Sequence, residues 1–252
     1  MSKEHLFIPD AQVRDGVDLS HVRAAGKLIV KRQPDVIVVI GDWWDFPSLS
    51  THTPAQRIAY NQVTYMKDLK AGIDAMEMLL GPLEKLQAKQ RANKKKVYQP
   101  QLVFTCGNHE YRTDRLVEQQ PILEGLLPRA EDYLRDKGFF VVPYKQKTVI
   151  DGVTYSHLCP QTSSAGAVSR AHLIAQKRAS SWSVGHSQIL DYYVSPHLPR
   201  IQCLISGAFY THDEGYKEGT NDHWRGLVYK RNVENGSYDP EFISIDNLIK
   251  GV

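Results

Sequence analysis

Five short apolar runs set the frame for this chain: HLFI at 5–8, DVIVVI at 35–40, QLVFTC at 101–106, WSV at 182–184 and CLIS at 203–206. Each is rich in β-branched or aromatic residues and too short for a helix, so each predicts a strand buried on both faces. Helical patterns lie between them. In DLSHVRAAGKLIVKRQP (18–34), Leu19, Val22, Leu28 and Ile29 fall on one helical stripe, Asp18 or Ser20 can cap the start, and Pro34 stops it. Strand, helix and strand in alternation predict an α/β fold with parallel strands.

Further along, residues 54–92 read as mostly helical, with a predicted break into two helices between Gly72 and Pro82. PILEGLLPRAEDYLRDKG (121–138) predicts a helix disturbed at Pro128, and AGAVSRAHLIAQKRAS (165–180) predicts another. Asp151-Gly152 and Asn235-Gly236 each sit between two strand-like runs, as the turns of antiparallel hairpins do. The expectation is two mixed sheets with helices outside. With no repeat, linker or low-complexity stretch, one domain over 1–252 is expected, carrying a helical insert at about 54–97.

Composition narrows the function classes. A length of 252 residues supports a sizeable core, burying about three quarters of the surface an unfolded chain exposes. A formal charge of +3 is too small to argue for nucleic acid or membrane binding by itself. Cys106, Cys159 and Cys203 are an odd, scattered set, which argues for a reducing compartment over a disulfide framework. The start, MSKEHLFIPD, has too short an apolar run for a signal peptide, and no stretch approaches the roughly 20 apolar residues of a membrane span. The cytoplasm is the expected location.

In α/β folds, ligands sit beyond the carboxyl ends of the strands. Here those ends carry metal-capable side chains in order: Asp10 and Gln12, then GDWWD (41–45), GNHE (107–110), His157, and GHSQ (185–188). Gly41, Gly107 and Gly185 stand at the strand-to-loop transitions, where a small residue permits a sharp turn.

This order resembles the calcineurin-like metallophosphoesterase superfamily, whose motifs run D-x-H, G-D-x-x-D, G-N-H-E, a lone His, then G-H-x-H. The resemblance reaches from Asp10 to Gln188. It is closest to small phage and bacterial members, where one helix separates the lone His from the last motif. It implies a four-layer α-β-β-α fold and hydrolysis of a phosphate mono- or diester. Two divalent ions about 3.5–4 Å apart would clamp the phosphate, and a hydroxide bridging them would attack phosphorus. By the same resemblance Asp42 bridges the ions. The first takes Asp10, Gln12, Asp42 and Gln188, and the second takes Asp42, Asn108, His157 and His186. His109 stabilises charge or protonates the leaving oxygen, where imidazole suits near-neutral pH. Asn108, His109 and Arg112 would contact the substrate. Asp45 and Glu110 would orient loops or the His109 ring.

Two positions depart from the pattern. Gln12 and Gln188 stand where the family has histidine, and both belong to the same ion. An amide oxygen is a harder, weaker ligand than imidazole, which moves that site away from zinc or iron toward manganese or magnesium. Manganese is therefore the first expectation, with magnesium, iron, zinc and nickel as alternatives. Similar D-x-Q first motifs occur in the manganese-dependent ADP-ribose and CDP-alcohol diphosphatase branch. Nucleotides and nucleic acid enter as substrates through the resemblance, and no residue selects among them. Loss of both imidazoles also motivates a different class, a degenerate module that binds one ion and a nucleotide without turnover.

Other residues stay open between two roles. SGAFYTHDE (206–214) also ends a strand, and its His212 competes with His186 for the last ligand position. Trp43 and Trp44 fit packing, or one ring stacking on a base. Arg112 and Arg115 follow GNHE and either grip phosphate or form surface ion pairs. Arg91, Lys94, Lys95 and Lys96 form a basic run that suits a solvated helix end or a nucleic-acid backbone, which gives a third class, a nucleic-acid-binding protein. Cys106 and Cys159 flank ligand loops and suit packing better than metal binding. His5, His21, His52, His172, His197 and His223 fit no motif.

Overall fold

A computed structural model describes residues 2–50, 64–161, 166–213 and 223–251. His52 and the first part of the expected helical insert, 54–63, lie outside the described residues. The strands are β1 Lys3–Ile8, β2 Val36–Val39, β3 Gln101–Thr105, β4 Phe140–Val142, β5 Thr148–Ile150, β6 Val153–Tyr155, β7 Trp182–Val184, β8 Leu190–Val194, β9 Gln202–Ser206, β10 Gly226–Glu234 and β11 Ser237–Ser244. The α-helices are α1 Ser20–Arg32, α2 Tyr65–Ala92, α3 Tyr111–Gln119, α4 Ala130–Asp136, α5 Ala171–Arg178 and α6 Ile245–Lys250.

Two mixed sheets form. One runs β11-β10-β1-β2-β3-β4, with β1 to β4 parallel, and the other runs β5-β6-β7-β9-β8, with β6, β7 and β9 parallel. The two hairpin turns sit where expected, with left-handed backbones at Asp151 and Gly152 (φ 49° and 84°) and at Asn235 and Gly236 (φ 50° and 84°). That pair of positive φ values matches the right-handed twist of the flanking strands.

Side-chain alternation explains the layering. In β2, Ile37 and Val39 join a core shared with α1 and α2, while Val36 and Val38 join a second core that reaches Tyr155 of β6 and Leu204 of β9. A strand buried on both faces needs apolar residues at every position, and VIVV supplies them. Burying each such side chain contributes about 1.5–3 kcal/mol. A third core packs Ile174 of α5 against Trp182, Val184 and Ile205 of the second sheet. Three cores between four layers are the α-β-β-α arrangement that the strand and helix order implies. Among the described residues, no helix is long and apolar enough to cross a membrane.

Some element boundaries differ from expectation. Among the described residues, the stretch before β3 holds one helix, Tyr65–Ala92, with no break between Gly72 and Pro82, and it passes through Pro82. Proline ordinarily clashes with the Cβ of the residue before it, but that residue is Gly81, which has none. Pro82 also leaves the Met78 carbonyl without its helical donor. Gly26 of α1 packs there so closely that a Cβ would lie 3.1 Å from that oxygen and 2.6 Å from Leu79 O. Tertiary packing against α1 holds the helix together across the proline. The 121–138 stretch holds only a 3₁₀ turn at Pro121–Leu123 and the helix Ala130–Asp136, because Gly125 (φ 74°) and Pro128 break it. The 165–180 helix is shorter, Ala171–Arg178. Helix α1 ends on Gln33 in a left-handed cap (φ 50°) just before Pro34, and its start is held by the Asp18 carboxylate on Ser20 N–H at 3.2 Å.

Candidate metal centre

The parallel strands of both sheets deliver their carboxyl ends to one place. Hydrogen bonds from site residues tie the sheets together there. The His186 N–H donates to the Asp10 carboxylate at 3.0 Å, and His157 Nδ1 donates to Ile40 O at 2.8 Å. The second bond also sets the His157 tautomer. With the proton on Nδ1, Nε2 presents a lone pair toward Asp42 Oδ2, 3.4 Å away, and Asn108 Oδ1, 3.2 Å away. His186 Nδ1 lies 2.8 Å from the same Asn108 oxygen. One donor atom each from Asp42, His157 and His186 falls within 4.8 Å of the others.

A carboxylate oxygen, an amide oxygen and two imidazole nitrogens, all able to ligate, therefore crowd together. Such a cluster calls for a positive charge among its members, which a proton or a cation supplies. The electrostatics agree. Burial would lower the His157 pKa, but Asp42 beside it and Asp10 push it up to about 10. Burial would raise Asp42, yet His157 and His109 hold it well below the usual carboxylate range. Burial and then His157 lower His186 to about 4, so it stays neutral and ready to ligate. Burial and the charge of Asp42 push Asp10 up to about 7. The donor set fits a divalent cation of borderline hardness.

Backbone strain accompanies the cluster. Gln12 (φ 42°), Asp42 (φ 45°), His186 (φ 64°) and Gln188 (φ 56°) are all left-handed, a conformation that costs a non-glycine residue about 1–2 kcal/mol. Strain of this kind persists where surrounding contacts over-determine it, and it concentrates at functional sites. The strand-end glycines divide into two kinds. Gly41 takes the expected sharp turn (φ 91°). At Gly107 and Gly185 the reason is close approach: a Cβ would lie 2.1 Å from Asp42 Oδ1 in one case and 2.2 Å from Asp10 Oδ1 in the other.

The other side of the cleft is built around His109 and Glu110. The His109 ring Nδ1 lies 2.8 Å from Asp45 O and 3.2 Å from Asp45 Oδ1, and its backbone N–H donates to Asp42 Oδ1 at 2.9 Å. Burial disfavours its charged form, but Asp42 and Asp45 outweigh burial and its pKa is raised. Arg112 donates from Nη1 to Asp45 O at 2.6 Å, and its Nη2 faces His109 Nε2 at 3.1 Å. The guanidinium thus braces the GDWWD loop against the His109 ring. Asp45 also faces Arg14, at 3.5 Å. The Glu110 carboxylate accepts four backbone N–H groups, from Trp43 and Trp44 on one oxygen and from Asp42 and Gly107 on the other.

Gln12 and Gln188 lie at the Asp10 side. The Gln12 N–H donates to Asp42 O at 2.8 Å, while its buried Oε1 has no hydrogen-bond partner. Gln188 Oε1 accepts the Tyr210 hydroxyl at 3.0 Å. Tyr210 is a contact that motif reading passed over, since it stands 22 residues further on. His212, the competing terminal histidine, stacks on the Tyr210 ring at 4.7 Å, one contact removed from Gln188, whereas His186 stands in the Asp42 cluster.

One of the open alternatives closes. Trp43 and Trp44 are fully buried, and their indole N–H groups donate to the Gly72 and Leu69 carbonyls of α2. Neither ring is available to a base. The basic run is exposed at the far end of α2, 19 residues beyond Gly72 by sequence for Arg91, which is about 28 Å of helix. It lies away from the Asp42 cluster. Cys106 and Cys159 are buried, and packing is their role.

No protein-family model matches the chain, and no curated protein matches it. Among solved structures, a conserved uncharacterized protein from Streptococcus pneumoniae, described as a predicted phosphoesterase, matches at 9% identity and TM-score 0.39, covering 98% of this chain and 91% of that one. Yfce, a phosphoesterase from E. coli, matches at 12% identity and TM-score 0.40, covering 96% and 99%. A protein of Thermus thermophilus matches at 11% identity and TM-score 0.37, covering 97% and 100%.

Proposed function

We propose that the chain is a calcineurin-like metallophosphoesterase, a metal-dependent hydrolase of phosphate esters with two divalent ions. The observation that carries this reading is the convergence of ligand-capable atoms from Asp42, Asn108, His157 and His186 at one place. Asp42, Asn108, His157 and His186 would hold one ion. Asp10, Gln12, Asp42 and Gln188 would hold the other, and the buried, unpartnered Gln12 Oε1 supports its share. Hard oxygen ligands at that second position favour manganese. When bound, the ions would polarise the phosphoryl oxygens and lower the pKa of an attacking water.

The chain's own groups do the rest. Asn108 and His109 face the phosphoryl group. Water gives one proton to solvent and adds to phosphorus as hydroxide, the ester P–O bond breaks, and His109, whose pKa is raised, gives its proton to the leaving oxygen. That assistance suits the poor leaving group of a diester. Asp45 holds the ring through Nδ1, while Arg112, a donor facing Nε2 at 3.1 Å, must swing aside when that nitrogen carries the proton. Nucleotides or nucleic acid are the proposed source of such esters. Three buried thiols suit a reducing compartment, the cytoplasm.

The test is hydrolysis of an aryl phosphodiester and a monoester with manganese, magnesium, zinc and nickel in turn. Asp42→Ala abolishes turnover, and His109→Ala lowers it by about 10²–10⁴-fold. Equal rates for wild type and Asp42→Ala would sink the reading. A second reading, one ion and no turnover, draws on the Gln188 amide being engaged by Tyr210. It requires one ion per chain and no hydrolysis with any of the four metals.

A further inference from the structure

The half of the metal centre built on Asn108 and His157 is flanked by a pair of tyrosines that the predicted machinery does not use. Tyr111 directly follows Glu110, and Tyr144 lies two residues past the end of β4. The register of β3 on β4 pairs Thr105 with Val142, so both tyrosines emerge at the edge that also delivers Asn108. Their rings stack at 5.0 Å with 28° between planes, and the Tyr144 ring lies 6.4 Å from the His157 ring. Both are half-buried, whereas Trp43, Trp44, Phe46 and Phe104 on the same strand ends are fully covered.

Lys145 holds its ammonium 5.3 Å above the Tyr144 ring, and Arg112 stands one residue past Tyr111. On the other side Tyr111 lines a groove of about 400 Å³ with Val117 and Pro121. Such a volume accommodates a small organic group. The acids of that groove are engaged: Asp114 and Glu124 pair with Arg129, and Glu118 accepts the Tyr111 hydroxyl at 3.0 Å.

We propose that Tyr111 and Tyr144 form an aromatic wall beside the metal centre that receives a planar ring carried on the phosphorus of the substrate, an aryl group or a nucleobase. This rests on the phosphoesterase reading and names the substrate class for it. Stacking on such a wall tolerates different rings because every ring has a π face. An aliphatic group of equal bulk gains only from burial.

Calorimetry with phosphonates, which resist hydrolysis, tests it on the manganese-loaded protein. Phenylphosphonate binds about tenfold more tightly than cyclohexylphosphonate or methylphosphonate. That ratio falls toward one in Tyr111→Ala and Tyr144→Ala and is kept in Tyr144→Phe. Adenosine 5′-monophosphate against ribose 5-phosphate tells a nucleobase from a directly attached aryl ring: a preference for the nucleotide that is lost in Tyr111→Ala assigns the wall to the base. If methylphosphonate binds but phenylphosphonate binds no better, or if the ratio survives both alanine variants, the wall is overturned and the phosphoesterase reading stands. If no phosphonate binds and no aryl ester is hydrolysed, both are overturned.

Discussion

The Glu110 carboxylate accepts the backbone N–H of Asp42 at 2.9 Å, joining the loop of Asp42 to the loop of Asn108 and His109. The same carboxylate takes the N–H groups of Trp43, Trp44 and Gly107. Burial and the charge of Asp42 push its pKa up to about 7, and the four donors oppose that rise. A glutamine has one oxygen and would set its own N–H groups against two of the four donors. Each buried donor left without an acceptor costs about 1–3 kcal/mol. Glu110→Gln should therefore lower stability by about 2–6 kcal/mol and weaken metal binding. Urea unfolding and metal calorimetry measure both, and unchanged values in the two assays would show that the staple is dispensable.

Gly72 meets Trp44 edge-on at the start of α2. A Cβ there would sit 1.8 Å from Trp44 Nε1, and the indole, fully buried, has nowhere to retreat. Gly72→Ala should cost about 1–3 kcal/mol or more, as overpacking does. Displacing the indole also moves the loop that carries Asp42 and Asp45. In a double-mutant cycle, Trp44→Ala, which removes all three colliding ring atoms, should recover at least about 0.5 kcal/mol of that loss. Strict additivity of the two substitutions would place the cost elsewhere.

These two contacts mark where sequence reading succeeds and where it stops. The strands VIVV and QLVFT, and the polar residues just beyond them, are legible because the buried stretch of each is dominated by apolar residues and its end is contiguous with the candidate site. The hairpin turns are legible because few dipeptides accept two positive φ values. Helix α2 running through Pro82 is not, since it depends on Gly26 from another helix. Strand β4 has three residues and β8 is half-exposed throughout, so neither shows a clear period. Tyr210 on Gln188, and Tyr144 beside His157, are contacts between distant loops, with no local pattern to announce them.

The amides at 12 and 188 give a metal-specific prediction. Histidine tolerates a left-handed backbone better than most residues, so Gln12→His with Gln188→His is compatible with φ values of 42° and 56°. The double variant should bind a second ion more tightly and shift its preference from manganese toward zinc. Tyr210→Phe, which releases the Gln188 oxygen, should also tighten the weaker ion, by a smaller factor. Titration calorimetry with each metal reads affinity and stoichiometry together. Identical isotherms for wild type and the double variant would remove both glutamines from the ligand set.

Lys230 gives the pH prediction. Its ammonium position is fully buried between the sheets, 2.6 Å from Ser183 Oγ and 3.2 Å from the Tyr155 hydroxyl. Burial drives its pKa well below the usual range. Beside it, burial and then Lys230 lower His5 to about 4, although Asp151 lies 2.9 Å from His5 Nε2. For both groups the native state binds fewer protons than the unfolded chain, so stability rises with pH. The His5 contribution is complete above about 6.5 and is lost as pH falls to about 4, a change of about 3 kcal/mol. The Lys230 contribution grows as pH climbs toward about 10.4. Opposing this, the faces of Phe7, Tyr155 and Tyr238 lie 4.8, 4.5 and 4.4 Å from the nitrogen and favour a cation. Such contacts supply about 2 kcal/mol when desolvated, less than the several kcal/mol that burying an unpaired charge costs. The raised Asp10, Glu110 and His157 carry the opposite sign, so the informative quantity is the difference between wild type and Lys230→Met in urea unfolding. Lys230→Met should be more stable at pH 7 by about 1–4 kcal/mol, and that lead should shrink between pH 7 and 9. A lead that stays constant between pH 7 and 9 would mean that the three rings hold the ammonium charged.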